Sequence, residues 1–217
     1  MMDYYDEQVG EYDEIYIGKG PASLKKDSYF KDVEEVSKLL TGFGKGKIID
    51  IGCGTGFWFP KYAKRYSDFT FLDQSKKMLE ECKKRVESLG YLNKSKFIQG
   101  NVLNVKLERY GSALAGFLVS HFTKEQELIF FKRLSSILVK DRTFAIIDST
   151  WNKEREKVRK KEEIQYRKLN DGRIFKVYKK YFKVEDIKKM SSRYKFVIKD
   201  MYFGEVFLAF IAGFSKG

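Results

Sequence analysis

Residues 47–56 run Lys-Ile-Ile-Asp-Ile-Gly-Cys-Gly-Thr-Gly. The first half is a short apolar run ending on Asp50, the pattern of a buried strand. Gly52, Gly54 and Gly56 then follow at every second position. Glycines at such places allow a sharp turn and the close approach of a ligand to bare backbone. A helix that starts after the turn directs its N-terminal N–H groups at whatever binds. In an open parallel sheet, ligands sit at the carboxyl ends of the strands, where this loop falls.

The spacing narrows the ligand. A dinucleotide fingerprint needs GxGxxG, but the third residue after Gly54 is Phe57. A phosphate-binding P-loop needs Gly-Lys-Ser/Thr, and none follows. A carboxylate at Asp50 would face a pyrophosphate badly and would suit a cationic group. S-adenosylmethionine carries an ammonium and a sulfonium and no phosphate, so an acid at this place fits it. Asp73 ends the next apolar run, Phe-Thr-Phe-Leu-Asp-Gln-Ser. It stands about 20 residues past the loop, where a carboxylate can hold both ribose hydroxyls. A lone acid there could also be a helix cap.

Outward from the loop, short apolar runs read as strands at 47–51, 69–72, 96–99, 113–119 and 144–148. Helical stretches separate them at 57–66, 75–88 and 123–138. Ser75 and Thr123 are good N-caps. Met78, Leu79, Cys82 and Val86 share one face of the second helix, and Leu128, Phe131, Leu134 and Leu138 one face of the third. Trp58 and Phe59 are most simply core. Alternating strand and helix predicts a parallel sheet covered on both faces. The character then changes. Residues 152–169 read as a strongly charged helix, 172–182 as an extra strand or hairpin at the sheet edge, and 184–192 as a short helix. Strands at 195–201 and 206–214, joined tightly around Gly204, close the sheet as an antiparallel pair.

With these elements in place, the chain resembles class I S-adenosylmethionine-dependent methyltransferases. Asp50-Ile-Gly-Cys-Gly-Thr-Gly56 is similar to their first motif and Leu72-Asp-Gln-Ser-Lys-Lys-Met78-Leu to their second. Gln99-Gly-Asn101-Val102 falls where they place an Asp or Asn beside the adenine. The segment 110–121 is similar to their fourth strand, with Gly111 where an acid is common. The resemblance covers residues 28–150 best. It implies a Rossmann-like α/β three-layer sandwich with a seven-stranded, mainly parallel sheet in the order 3-2-1-4-5-7-6, the last strand antiparallel. It implies one methyltransferase domain over 1–217, with 1–27 as an N-terminal lid and 151–194 as an acceptor-side insertion. It also implies a cofactor set: Asp50, Gly52, Cys53, Gly54 and Gly56 in the loop, then Asp73, Gln74, Met78 and Gly116. Asn101 would bond the adenine amino group, and Val102 would offer a backbone contact. S-adenosyl-L-homocysteine would be the product.

Methyl transfer is an in-line displacement with a neutral leaving group, so positioning carries much of the catalysis. A base is needed only if the acceptor must lose a proton. His121, the one histidine of the chain, follows the fourth strand at the cofactor end. Its ordinary pKa near 6.5 suits proton removal; a helix-capping or cofactor-lining role is the alternative. Asp148, at the end of the fifth strand, could touch the acceptor or cap the chain that follows. Tyr12 and Tyr16 lie four apart, on one face if helical. They either pack on the domain or contact substrate. Arg155, Arg159 and Arg167 could bind a substrate carboxylate or phosphate, or form a solvated face. Cys53 should have its backbone, not its thiol, against the cofactor.

Composition sets the outer bounds. The chain has 217 residues, 43% hydrophobic, enough for one domain with a sizeable core. Two cysteines and one histidine argue against a disulfide framework and against a metal site. No apolar stretch nears the roughly 20 residues that a membrane span needs, and the acidic start is unlike a signal peptide. A cytoplasmic protein is expected. The formal net charge of +13 can draw a protein to nucleic acid, or can reflect a Lys/Glu-rich solvated surface. The leading expectation is a methyltransferase for a small-molecule acceptor. An RNA methyltransferase, a non-catalytic S-adenosylmethionine-binding protein and a nicotinamide oxidoreductase are the alternatives.

Overall fold

The structure, a computed structural model, describes residues 2–19 and 24–214. Helix α1 (Met2–Gln8) runs into a 3-10 helix (Val9–Ile17), and α2 (Lys26–Thr41) leads to the first strand. Alternation then sets in: β1 (Gly46–Ile51), α3 (Phe59–Tyr62), β2 (Tyr66–Asp73), α4 (Lys76–Ser88), β3 (Ser95–Gln99), β4 (Tyr110–Gly116), α5 (Lys124–Ile137) and β5 (Leu138–Ser149). The later part holds α6 (Lys153–Glu156), β6 (Glu162–Lys168), β7 (Ile174–Lys180), α7 (Val184–Tyr194), β8 (Phe196–Phe203) and β9 (Phe207–Phe214).

Seven strands form one sheet in the order β3-β2-β1-β4-β5-β9-β8. Pairing is parallel from β3 to β5, and β9 is antiparallel to both β5 and β8. With the β6–β7 hairpin set aside, this is the expected order 3-2-1-4-5-7-6. The side chains of each strand alternate between two cores. On β1, Ile48 packs with α2, α3 and α4 on one face, while Ile49 and Ile51 pack towards α5 and α7 on the other. On β9, Ala209 and Ile211 go to the first core, and Leu208, Phe210 and Ala212 to the second. The result is three layers. The strand order reverses between β1 and β4, which puts a crevice at their carboxyl ends. No described helix is long and apolar enough to cross a membrane.

Several local expectations need correction. The helix after the glycine loop is one α-turn, Phe59–Tyr62, followed by a 3-10 turn, Ala63–Arg65. The buried face of α5 is Glu127, Phe130, Phe131, Leu134 and Ile137, and Leu128 is exposed. The neighbouring helix α7 meets the face that carries Phe131, which stacks on Tyr194. Residues 152–169 are not one helix. Asn152 caps only α6, through Arg155 N–H at 2.9 Å, and the chain then extends into β6. Strand β6 pairs with β7 as an antiparallel hairpin that forms its own two-stranded sheet instead of adding to the edge of the large one. Arg155, Arg159 and Arg167 therefore lie on a helical turn, a loop and a strand, not on one helix.

Candidate active site

The glycine loop turns as only glycine readily can. Gly52, Gly54 and Gly56 have φ of +67°, +53° and +73°, in the left-handed region. A Cβ on Gly56 would stand 2.9 Å from Cys82 Sγ, so this glycine lets the loop close onto α4. The N–H groups of Gly52 and Cys53 donate to the Leu72 carbonyl at 2.7 and 3.1 Å. Asp73 completes the brace: Oδ2 accepts from Gly54 N–H at 2.9 Å and Oδ1 from Ser75 N–H at 2.9 Å. Burial raises the Asp73 carboxyl against the pull of these N–H bonds. A carboxylate has about four acceptor positions, so two remain free.

Above the loop lies a narrow slot. Gly52, Gly54, Asp73, Gln74, Met78, Val102 and Gly116 of the expected cofactor set line it, together with Tyr12 and His121. Among the described residues, no lysine or arginine lines it. Four members of the expected set stand behind the lining. Asp50 shares the Ile48 face of β1, so period-two alternation turns its carboxylate into the first core. There Oδ2 accepts from Tyr62 O–H at 2.6 Å, and burial pushes the acid up to about 7, with the Tyr62 bond opposing. The cationic partner expected for Asp50 is thus not reached directly. The Cys53 thiol is buried, raised by that burial, and points at the Gly54 carbonyl at 3.7 Å. Gly56 packs on Cys82. Asn101 spends Oδ1 on Leu103 N–H at 2.9 Å, an Asx turn that presents Val102 to the slot.

The N-terminal segment crosses the slot. Thr55 O–H donates to Asp13 Oδ1 at 2.5 Å, Arg85 reaches Asp13 Oδ2 at 2.6 Å, and Glu7 pairs with Lys77 at 2.8 Å and Arg173 at 2.7 Å. Tyr5 lines the slot, with its hydroxyl 2.9 Å from His121 Nε2. His121 Nδ1 is 2.6 Å from the Tyr178 carbonyl, which can only accept. Nδ1 therefore carries the proton, and Nε2 accepts from Tyr5 O–H. Burial, aided by Lys179 and Arg167, holds the imidazole well below its usual pKa, so it is neutral at pH 7. Burial also raises the Tyr5 hydroxyl, which keeps its proton.

Tyr5, Tyr12, Phe117 and His121 also line a second cavity of about 580 Å³ beneath the same segment. Phe117 holds φ +54°, rare for a bulky residue and strained by about 1–3 kcal/mol. Arg155, Arg159 and Arg167 converge on this cavity from their three separate elements. Two expected substrate residues do not line it. Tyr16 stacks on Phe57 at 3.7 Å inside the aromatic core. Asp148 is fully buried, where it accepts from Ser120 N–H at 2.9 Å and pairs with Lys179 Nζ at 3.1 Å.

Sequence reasoning missed Tyr5, Gln165, Lys179 and Tyr181. Lys179 sits on the inward face of β7 with Val177. Strict alternation from Val177 would have flagged it. Tyr5 and Gln165 carry no such signal, because chain pairing over long separations sets their places.

Residues 48–141 match the methyltransferase domain family. No curated protein matches the sequence. Among solved structures, the chain is similar to DhpI in complex with SAM and HEP, at 17% identity and a TM-score of 0.78, over 97% of this chain and 94% of that one. It is similar to magnesium protoporphyrin IX methyltransferase (ChlM) from Synechocystis PCC 6803 with bound SAH, at 18% identity and 0.66, over 99% and 97%. It is also similar to 1,6-didemethyltoxoflavin-N1-methyltransferase from Burkholderia thailandensis, at 14% identity and 0.67, over 97% and 85%. At these identities the likeness is one of fold. Residues 48–141 match a methyltransferase domain, and the fold of the described residues is similar to that of S-adenosylmethionine-dependent methyltransferases.

Proposed function

We propose that the chain transfers the methyl group of S-adenosylmethionine to a small-molecule acceptor held in the second cavity. One observation carries this reading: the slot over the glycine loop and the second cavity share a wall of Tyr5, Tyr12, Phe117 and His121. Donor and acceptor sites that meet at a shared wall are what an in-line displacement requires. The slot fits the cofactor. It offers backbone at Gly52, Gly54 and Gly116 and a carboxylate with free acceptor positions, and none of the described residues that line it is a cation of the kind a pyrophosphate needs. Asp73 would hold the ribose hydroxyls, and Val102 would meet the adenine on a turn set by Asn101. Gln74 and Met78 would close the sides. The ChlM structure holds SAH, and the toxoflavin enzyme was solved with 1,6-didemethyltoxoflavin and S-adenosylhomocysteine, which supports this use of the fold.

The cofactor supplies an electrophilic methyl group on a positive sulfur, and the chain supplies position and exclusion of water. Residues 2–17 act as the lid, and residues 151–194 wall the acceptor side within the same domain. Of the expected lid 1–27, residues 1 and 20–23 lie outside those described. His121 is a candidate general base: its Nε2 lone pair faces the shared wall and is held by Tyr5.

The test uses methyl-labelled S-adenosylmethionine with small acids, amines and alcohols in one arm and tRNA in another. Label should enter a small molecule; label in tRNA instead would overturn the reading. With the acceptor so identified, His121→Ala should lower kcat by about 10²–10⁴-fold if it takes the proton. Because the imidazole titrates well below 6.5, the unmutated enzyme should stay active at pH 6. An inflection near 6.5, absent in His121→Ala, would contradict the buried, neutral ring.

A further inference from the structure

The second cavity has an electrostatic imbalance that the fold does not resolve. Five cations among the described residues reach it from residues 151–194: Arg155, Arg159, Arg167, Lys168 and Lys179, of which Lys168 is exposed. Lys179 is neutralised by Asp148 at 3.1 Å, and Arg159 stands 4.0 Å from Glu163. Among the described residues, Arg155 and Arg167 pair with no carboxylate. The two acids on the cavity wall are otherwise engaged: Glu14 pairs with Lys19 at 3.3 Å, and Glu11 accepts from Asn170 N–H at 3.2 Å.

Arg155 is the sharper case. It is 7% exposed, its Nε has no partner, and its Nη2 reaches only the Val206 carbonyl at 3.4 Å. Its guanidinium lies over the Tyr181 ring at 4.5 Å. A buried charge without a counter-charge is strongly destabilising, so the site calls for a compensating group. Arg167 is held ready in the same way. Gln165, 3% exposed, accepts from Arg167 Nε and Nη2 at 3.3 and 3.2 Å through Oε1, and its Nε2 donates to Tyr181 O–H at 2.8 Å. The Tyr4 ring supports the other side at 5.5 Å. Tyr181 and Gln165 thus fix both guanidiniums while leaving donors free. The same cavity holds a buried acceptor without a partner, Gln8 Oε1.

We propose that Arg155 and Arg167 form an oxyanion subsite: the methyl acceptor is a small molecule anchored by a carboxylate or phosphoryl group, with a donor group facing Gln8. This rests on the methyltransferase reading of the site. The guanidinium fork suits both oxyanions, and it supplies the counter-charge the fold omits.

The test titrates the protein, saturated with S-adenosylhomocysteine, with sodium phosphate in one arm and sodium acetate in the other, followed by calorimetry. Saturable binding of at least one anion is expected. Arg155→Gln and Arg167→Gln should each weaken it roughly tenfold or more. Lys83→Gln, exposed on α4, should leave it unchanged, and both arginine variants should bind S-adenosylhomocysteine within about twofold of the unmutated protein. Tighter phosphate assigns a phosphoryl group, and tighter acetate a carboxylate. Two results overturn the proposal: no saturable binding of either anion, or arginine variants that bind it as well as the unmutated protein does. Failure of the unmutated protein to bind S-adenosylhomocysteine at all would instead strike the methyltransferase reading beneath it. If Arg155→Gln does not fold, Arg167→Gln, at a half-buried position, decides.

Discussion

Asp50 lies two residues before Gly52, and its carboxylate faces Tyr62 in the core. Burial pushes that acid up to about 7, against about 3.9 for an unfolded chain. Between those values the folded chain keeps a proton that the unfolded chain has lost. The stabilising contribution is therefore whole below about pH 4 and declines as the pH rises towards 7. Asp50→Asn retains an acceptor for Tyr62 and removes the titration. In denaturant melts, the variant should gain on the unmutated protein across pH 4–7, by an amount on the order of a few kcal/mol. Parallel curves would mean that Asp50 stays charged. At this scale the sequence was informative wherever local backbone set the answer. The positive φ of Gly52, Gly54 and Gly56 and the Asp73 brace are local, so spacing revealed them. The direction of Asp50 depended on which face of β1 met α3, and the roles of Tyr5 and Lys179 on contacts more than 30 residues away, among them Tyr5 with His121.

Secondary elements were legible where propensity and packing agree. Ser75 and Thr123 cap α4 and α5 as their side chains dictate, by accepting from Met78 and Gln126 N–H. Residues 152–169 misled because Lys and Glu favour helix when nothing else intervenes. The intervening force is pairing: Gln165 opposite Val177 and Arg167 opposite Phe175 make β6 a strand. That pairing is what brings Arg167 to the cavity. The N-terminal segment, the proposed lid, is attached by two kinds of contact. Its links to α4 and the hairpin are partly exposed ion pairs, which contribute little singly, whereas Tyr4, Tyr12 and Tyr16 are buried. Glu7→Gln with Asp13→Asn should speed amide exchange in residues 2–17 by a few-fold and leave β1–β5 unchanged. Unchanged exchange in the lid would assign its closure to the tyrosines alone.

Across the whole molecule, the sheet order and the reversal between β1 and β4 place every group of the site at one rim. The glycine loop follows β1, Asp73 ends β2, Val102 follows β3, His121 follows β4 and Asp148 ends β5. Alternating strand and helix made this arrangement readable, since each strand end must return to the same side of a parallel sheet. The proposed acceptor wall was readable only in outline: residues 1–27 and 151–194 were expected there, but not the short helix and hairpin that build it, because they lie outside the repeating unit. Part of the +13 charge is gathered there: Arg155, Arg159, Arg167 and Lys179 all line one cavity. If the slot above the glycine loop is the cofactor site, Asp73 is its central polar group. Calorimetry with S-adenosylhomocysteine tests this most directly. The unmutated protein should bind it saturably, and Asp73→Ala should weaken it by roughly 10–100-fold, the loss of charge-assisted hydrogen bonds. Binding of NADH in its place, or equal affinity in Asp73→Ala, would contradict the account.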